Sequence, residues 1–218
     1  MPITPVGPCP AKIMIVGEFP GESEMVKGVP FVGAGGMELS RMLQEAGIMR
    51  SECFITNVIR ERPPANDIDN FIASKKSAIT NQHISIRDKF VLPVVRDGME
   101  LLKREIEMCQ PNVIIALGNV AMWALTGKWG ITSWRSSLLQ TDLSVSLDYQ
   151  PKVIPAYNPT MILRQWNWRQ IMVHDLRRAK KESLTAVLTP TDYAFTIRPD
   201  FNQVMSVLGQ MYDQLEAK

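Results

Sequence analysis

KIMIVG, at Lys12–Gly17, is a short apolar run, largely β-branched, and the acidic Glu18 follows it directly. The breaker Pro20-Gly21 stands just beyond. A short β-branched run that ends in a turn signal is typical of a buried strand. A carboxylate placed directly after such a strand is costly to bury unless it serves a function. We therefore expect Glu18 to be a functional residue, although it could also cap the turn that follows.

Two later apolar runs end in the same way, each leading into a carboxamide. Phe54–Thr56 leads into Asn57, and Val153–Tyr157 leads into Asn158. In an open parallel sheet the carboxyl ends of the strands share one edge, and ligands bind in the crevice beside it. The sequence therefore predicts one pocket formed by Glu18, Asn57 and Asn158.

Helical patterns alternate with the apolar runs. Strands are predicted at Lys12–Gly17, Cys53–Ile59, Val113–Leu117 and Lys152–Ala156, and helices at Leu39–Ala46, Leu92–Met108, Gly118–Leu125 and Trp168–Lys181. This alternation favours a three-layer α/β/α fold with a central, mainly parallel, four-stranded sheet. The polar segment Ala65–Asp88 shows no clear period and is predicted to be an insertion or a mobile loop.

Composition excludes several classes of protein. The 218 residues carry a net charge of +2, which permits a polyanionic partner without arguing for one. No apolar run reaches the roughly 20 residues of a membrane span, and the start lacks a signal-peptide core. Cytoplasmic residence is therefore expected. The three cysteines are scattered and odd in number, which argues against a disulfide framework and against a metal site, and no cofactor is predicted.

The last part of the chain has a different character. We predict a domain over residues 1–183 and an appendage or linker over residues 184–218. Ala194–Arg198 is predicted to be a short strand, and Asp200 with Gln203 forms the capping box of a helix. The apolar face of that helix needs a partner, either the main domain or a missing continuation of the polypeptide.

The ordered motifs resemble those of uracil-DNA glycosylases, most closely the iron–sulfur branch called family 4. Gly17–Glu24 and Gly28–Gly36 resemble its G-E-x-P-G-x-x-E and G-x-P-F-V-G-x-A-G segments. Ile55–Val58 with Arg62-Pro63-Pro64 resembles T-N-V-V-K-C-R-P-P, and Asn158–Arg164 stands where the family has H-P-x-x-x-L-R. The resemblance covers roughly residues 11–180 and implies the uracil-DNA glycosylase-like α/β/α fold.

Two departures from the family pattern matter. Glu61 occupies the position of one cluster cysteine, and no cysteine pair precedes the first strand, so the iron–sulfur cluster is expected to be absent. Asn158 replaces the family's histidine near the carbonyl oxygen of the base. The mismatch-specific branch of the superfamily resembles this chain in having Asn-Pro there. Because an amide cannot carry positive charge, slower turnover or another base preference is expected.

The resemblance implies a role for each pocket residue. Glu18 would orient or activate water and stabilise the cationic sugar, and Asn158, the second catalytic residue, would donate a hydrogen bond near the carbonyl oxygen of the base. Backbone groups around Phe19 would receive the pyrimidine, Phe31 would stack on it, and Asn57 would read its amide edge, since one carboxamide offers both a donor and an acceptor. Purely structural roles remain open, with Phe31 in the core and Asn57 satisfying backbone groups.

DNA contacts are implied at two further segments. The glycine loop with Gly33 and Gly35 precedes a helix and could bind a backbone phosphate. Met161, Ile162 and Leu163 would fill the gap left by an extruded base, and Arg164 would contact a phosphate. An apolar first helical turn is the alternative interpretation of the three apolar residues.

The resemblance implies a monofunctional glycosylase that removes uracil, or a related pyrimidine, from DNA after base flipping. One alternative is a catalytically weak glycosylase-like module that serves DNA binding or polymerase processivity in a phage replication protein. The segment from Tyr193 to Lys218 faintly resembles the segment that leads into the exonuclease domain of a phage-type DNA polymerase. On that view the chain is the amino-terminal part of a larger protein with a DNA polymerase or other replication proteins as partners. A glycosylase specific for a modified pyrimidine is the third possibility.

Overall fold

A five-stranded sheet lies at the centre of the computed structural model, which describes residues 2–143, 149–188 and 197–216. The described strands are β1 (Ile13–Gly17), β2 (Cys53–Asn57), β3 (Ile72–Ala73), β4 (Ile84–Ile86), β5 (Lys89–Val91), β6 (Val113–Leu117), β7 (Leu139–Gln140) and β8 (Lys152–Ala156). The described α-helices are α1 (Glu22–Lys27), α2 (Ala34–Glu45), α3 (Pro93–Cys109), α4 (Asn119–Thr126), α5 (Ile131–Trp134), α6 (Pro159–Arg164), α7 (Arg169–Glu182) and α8 (Phe201–Glu216).

The strand order of the central sheet is β2-β1-β6-β8-β7. The four predicted strands, β1, β2, β6 and β8, all run parallel, as expected when helices connect successive strands. The fifth strand, β7, is only two residues long and pairs antiparallel with β8 at the sheet edge. It lacks the length of an apolar run, which is why the sequence pattern did not predict it.

Helices flank this sheet and bury it. All five residues of β6 are buried, as are all five of β8, which requires cover on both faces of the sheet. The long helix α3 turns Val95, Leu102 and Ile106 inward at helical spacing and ends at Cys109, with Gln110 as its C-cap. Helix α4 is buried almost throughout and carries Trp123 into the core. The predicted α/β/α architecture is confirmed.

The segment predicted to be a mobile loop or insertion is an ordered insertion. Between β2 and α3 the chain forms a second sheet of three antiparallel strands in the order β3-β5-β4. Arg87, at the β4–β5 turn, donates to the carbonyl of Trp123 and pairs with Asp142. The strands are two or three residues long, too short for an alternating pattern to stand out in the sequence.

Two of the three cysteines form a disulfide, which corrects the prediction from their number and spacing. Cys9 and Cys109 are bonded, with Cα atoms 4.7 Å apart. The bond ties the segment before β1 to the end of α3, and Ala11 N–H donates to the Cys109 carbonyl beside it. Spacing failed as a guide because the partners lie 100 residues apart in sequence.

The chain forms two compact units, Met1–Leu188 and Thr189–Lys218. In the second unit, Gln203 N–H donates to Asp200 Oδ1 and Asp200 N–H donates to Gln203 Oε1, so the predicted capping box is present. The strand predicted at Ala194–Arg198 lies largely outside the described residues. The predicted domain boundary after residue 183 stays a prediction. Within the described ranges, none of the helices combines the length and apolarity needed to cross a bilayer.

Candidate active site

The carboxyl edge of the central sheet brings together the polar residues that follow the strands. Gly17 of β1 pairs in register with Asn57 of β2, so Glu18 and Asn57 leave neighbouring strands side by side. Asn158 follows β8, and β6 lies between β8 and β1. Asn158 Nδ2 donates a hydrogen bond of 3.0 Å to Glu18 Oε2. Two residues separated by 140 positions in sequence are therefore in direct contact.

The carboxylate of Glu18 is held by the amino end of α4 as well. Val120 N–H donates to Glu18 Oε1 at 3.0 Å, and Asn119 N–H also bonds to the carboxylate. The first turn of a helix favours negative charge because its amide groups lack partners within the helix. Burial nevertheless raises the pKa of Glu18 above its ordinary value, and the bonds from Val120, Asn158 and Asn119 oppose that rise. The result is a fixed carboxylate that holds its proton more strongly than an exposed one.

Gly118 makes this arrangement possible. It precedes α4 with φ +95°, a backbone conformation that residues with a side chain rarely adopt. A Cβ built on it would lie 2.6 Å from Glu18 Oε1 and 2.7 Å from its Cδ. Any larger residue would therefore push the carboxylate away from the Val120 amide.

The side chains of Phe31 and Asn57 both lie against a second glycine, Gly17. A Cβ on Gly17 would overlap Asn57 Oδ1 and lie 2.9 Å from Cε2 of Phe31, so the aromatic ring and the carboxamide occupy one corner of the site. Asn57 is only 2% exposed, and its Oδ1 finds no hydrogen-bond partner within the described part of the chain. A buried acceptor without a partner is uncommon and marks a place where a ligand donor is expected.

The backbone of Phe31 is held by Arg50, a residue that sequence reasoning missed. Phe31 has φ +54°, which is unfavourable for a residue with a side chain. Arg50 Nη2 donates to the carbonyls of Phe31 at 2.9 Å and Pro30 at 3.3 Å, and Nη1 donates to Ser40 Oγ at 2.9 Å and to the Gly36 carbonyl at 3.2 Å. Burial lowers the pKa of the Arg50 guanidinium. Arg50 lies between two family motifs and in neither, which is why no pattern indicated it.

The glycine loop predicted to bind phosphate has internal partners. Glu24 Oε1 accepts from Val32 N–H at 2.9 Å and from Gly33 N–H at 2.8 Å, so the Gly33 amide already has an anionic partner. Gly35 lies against α6, because a Cβ there would come within 2.9 Å of Thr160 Oγ1. The Glu24 bond to Gly33 and the close packing of Gly35 against Thr160 explain why glycines stand at these two positions. Phosphate binding by Gly33 and Gly35 stays a prediction.

The predicted wedge is only partly available to DNA. Met161 and Leu163 are 37% and 44% exposed on α6, and Arg164 is exposed at its end. Ile162 is fully buried and belongs to the core, which corrects its assignment to the wedge. Successive helical residues point in directions about 100° apart, so three in a row cannot share one exposed face. Phe19 is half-buried and packs against the core beside the site.

The cysteines of this chain do not fit the four-cysteine cluster of family 4. Cys9 and Cys109 are bonded to each other, and Cys53 is buried on β2, where burial raises the pKa of its thiol to about 12. Within the ranges the structure describes, no group of three or more His, Cys, Asp or Glu side chains is arranged to hold a metal ion. We therefore assign no chemical step to a cluster.

The chain places a half-buried carboxylate, an aromatic ring and a carboxamide oxygen without a described partner at the carboxyl edge of a mainly parallel α/β sheet, the edge at which α/β enzymes bind their ligands. A model of the uracil DNA glycosylase superfamily matches residues 4–182, and the chain belongs to that superfamily.

Relatives named type-4 uracil-DNA glycosylase are similar to most of the chain. The protein from Thermotoga maritima is 33% identical over 175 residues, which cover 78% of this chain and 76% of that protein. The protein from Saccharolobus solfataricus is 28% identical over 189 residues, covering 85% and 77%. A DNA polymerase from Bacillus phage SP01 is 25% identical over 167 residues, covering 76% of this chain but 15% of the polymerase.

Proposed function

We propose that this protein is a monofunctional DNA glycosylase that hydrolyses the N-glycosidic bond of uracil in DNA after base flipping and leaves an abasic site. Membership of the uracil DNA glycosylase superfamily supports both the DNA substrate and the reaction. The observation that carries the site assignment is the convergence of Glu18, Phe31, Asn57 and Asn158 at one edge of the sheet.

The corner formed by Phe31 and Asn57 suits a uracil base. A flipped base is commonly stacked on an aromatic ring and identified by hydrogen bonds to its Watson–Crick edge. Asn57 Oδ1 would accept from the N3–H group of uracil, and its Nδ2 would donate to O4. Cytosine presents an acceptor and an amino donor in those places, so the same amide orientation would oppose it. Related pyrimidines that keep the uracil edge would present the same donor and acceptor to Asn57.

The Glu18 carboxylate suits the bond-breaking step. The bond between C1′ of the sugar and N1 of uracil breaks with its electron pair on the base, which leaves positive charge on the sugar. Glu18 would stabilise that charge and accept a proton from the water that attacks C1′, while Asn158 orients the carboxylate. None of the described groups that bond to Glu18 belongs to a lysine, so a Schiff-base intermediate and strand cleavage are not expected.

Release of free uracil from a uracil-containing oligonucleotide tests the proposal. Glu18→Gln should lower kcat/KM by at least about 10²-fold, since it removes the negative charge at the reacting centre. Asn57→Ala should lower it by about 10- to 100-fold, because the base edge loses its partner.

Matched controls come from exposed residues of the same types. Glu22 lies in the same motif as Glu18 but on the surface, and Asn167 lies on an exposed turn before α7, so the control variants are Glu22→Gln and Asn167→Ala. Both should retain wild-type activity. Wild-type activity in Glu18→Gln and Asn57→Ala would remove the site assignment, and absence of uracil release by the wild-type protein would remove the proposed function.

The similarity to a phage DNA polymerase favours a second candidate, a glycosylase-like DNA-binding or processivity module with a replication protein as partner. Binding to uracil-free DNA without release of any base would support this module. The third candidate is a glycosylase for a modified pyrimidine. Base release from a panel of oligonucleotides with hydroxymethyluracil and mismatched bases distinguishes it from the other two. For each candidate the proposed location is the cytoplasm of a bacterium or a phage-infected host.

A further inference from the structure

The insertion between β2 and α3 borders a cleft that the glycosylase reaction does not use. The cleft has a volume of about 390 Å³, within the range of clefts that bind small ligands. The three-stranded sheet forms one side, and the loop after α4, with Trp129, forms the other. The insertion begins directly after β2, at the same edge of the central sheet that carries Asn57.

The cleft combines aromatic rings with cations. Phe90 and Trp129 line it and are 41% and 40% exposed, which is high for such large apolar side chains. Lys89 Nζ lies 4.3 Å from the centre of the Trp129 ring. Lys75 and Lys76 also line the cleft, are exposed, and form no ion pair within the described residues.

The two carboxylates of the cleft already have partners. Asp69 accepts from the Ser74 hydroxyl at 2.7 Å. Asp88 accepts from Trp123 Nε1 at 3.1 Å and lies 3.8 Å from Lys89 Nζ. The lining carries three lysines and two aspartates, so its net charge is +1, and the lysines that form no ion pair within the described residues are Lys75 and Lys76. Positive charge beside exposed aromatic rings is the pattern by which proteins bind single-stranded nucleic acid.

Helix α4 connects this cleft to the candidate active site. Its first amide groups hold Glu18, and Asn119 Oδ1 accepts from Gly130 N–H at 3.1 Å, the residue directly after Trp129. Two hydrogen bonds thus link the Glu18 carboxylate to the backbone beside Trp129. At the other end of α4, Arg87 bonds to the Trp123 carbonyl and fixes the insertion.

We propose that this cleft binds a nucleotide of single-stranded DNA that neighbours the uracil on the same strand, and this inference rests on the proposed function. The base stacks on Trp129 and Phe90, and the phosphate contacts Lys75 and Lys76. Because a base must leave the duplex to stack on a side chain, the cleft favours single-stranded over fully paired flanks.

The test compares variants of the 218-residue chain on a single-stranded oligonucleotide of about 15 nucleotides with one central uracil. Lys75→Ala/Lys76→Ala should raise KM about 10-fold with kcat unchanged. It should also make the dependence of log affinity on log salt shallower by about 0.7, because the contact with one phosphate is lost. Lys12→Ala/Lys181→Ala is the matched control, since both lysines are exposed and lie at the opposite edge of the sheet. The control should change neither KM nor the slope.

Trp129→Ala should weaken binding to uracil-free single strands about 10-fold without changing the salt slope, since stacking releases no ions. Trp129→Phe keeps an aromatic ring and should bind nearly as the wild type, which separates lost stacking from a disturbed loop. On a duplex with the same sequence, Trp129→Ala should have little effect.

Single-strand affinities within about twofold of wild type for Trp129→Ala and the double lysine variant would overturn the inference, and so would an equal loss on duplex and single strand. An equal loss in the Lys12→Ala/Lys181→Ala control would also overturn it. Failure of the proposed function is distinguishable, because the wild-type protein would then release no uracil while the binding comparison could still be made.

Discussion

Asn158→Ala removes a side chain that makes two hydrogen bonds, one expected to affect activity and the other stability. Its Nδ2 donates to Glu18 Oε2 at 3.0 Å, and its Oδ1 accepts from Thr160 N–H at 3.0 Å as the cap of α6. A hydrogen bond to a charged group contributes about 1.5–3 kcal/mol, and a helix cap about 1 kcal/mol. If the Glu18 bond persists in the transition state, its loss should lower kcat/KM about 10- to 100-fold.

The pH dependence of this variant gives the sharper test. Catalysis requires ionised Glu18, so activity falls as the pH drops through the pKa of Glu18 in the folded protein, which burial has raised. The Asn158 bond favours the ionised form and opposes that rise. Asn158→Ala should therefore raise the pKa of Glu18 further and move the acid limb of the kcat/KM profile to higher pH.

Uracil release measured from about pH 4 to about pH 9 supplies the profile. Asn158→Ser is the matched control, because a serine can still cap α6 but is too short to reach Glu18. It should reproduce the activity loss and the shifted limb while keeping the stability that Asn158→Ala loses. A wild-type acid limb in both variants would refute the assigned contact.

Three further predictions concern the support of the site and the core. Arg50→Met should raise KM about 10-fold in steady-state uracil release, because the Phe31 loop loses its hydrogen bonds and its ring moves. Ile162→Ala should cost about 2–5 kcal/mol in a urea unfolding titration, as it opens a cavity, whereas Met161→Ala should leave stability near wild type and weaken DNA binding. Cys109→Ser should lower the thermal midpoint by an amount equivalent to about 3–5 kcal/mol, since the disulfide closes a loop of about 100 residues.

Local patterns predicted the sheet and the residues that leave it. β1, β2, β6 and β8 are apolar runs, and their parallel order follows from the helices between them. Glu18 and Asn57 were predicted as site residues because a polar group at a strand end needs only local information to be recognised. Register then placed the two at neighbouring strand ends.

Contacts between distant segments were beyond those patterns. The short strands of the insertion carry no periodic signal. They are stabilised by pairing with one another and by the hydrogen bond from Arg87 to the Trp123 carbonyl of α4. Ile162 was assigned to the wedge because a sequence motif does not state which side of a six-residue helix faces the core. The pairing of Cys9 with Cys109 joins segments whose separation gave no hint of contact.

The amino-acid sequence by itself determined the α/β alternation, the superfamily, and the placement of an acid and two amides after buried strands, because hydrophobic periodicity and strand termination act over a few neighbouring residues. The tertiary structure decided how those groups are held. The α4 amides on Glu18, the Arg50 bonds to the Phe31 loop and the Asn57 oxygen left without a described partner all depend on long-range packing. Such contacts form only when the folded chain brings together donors and acceptors from separate elements.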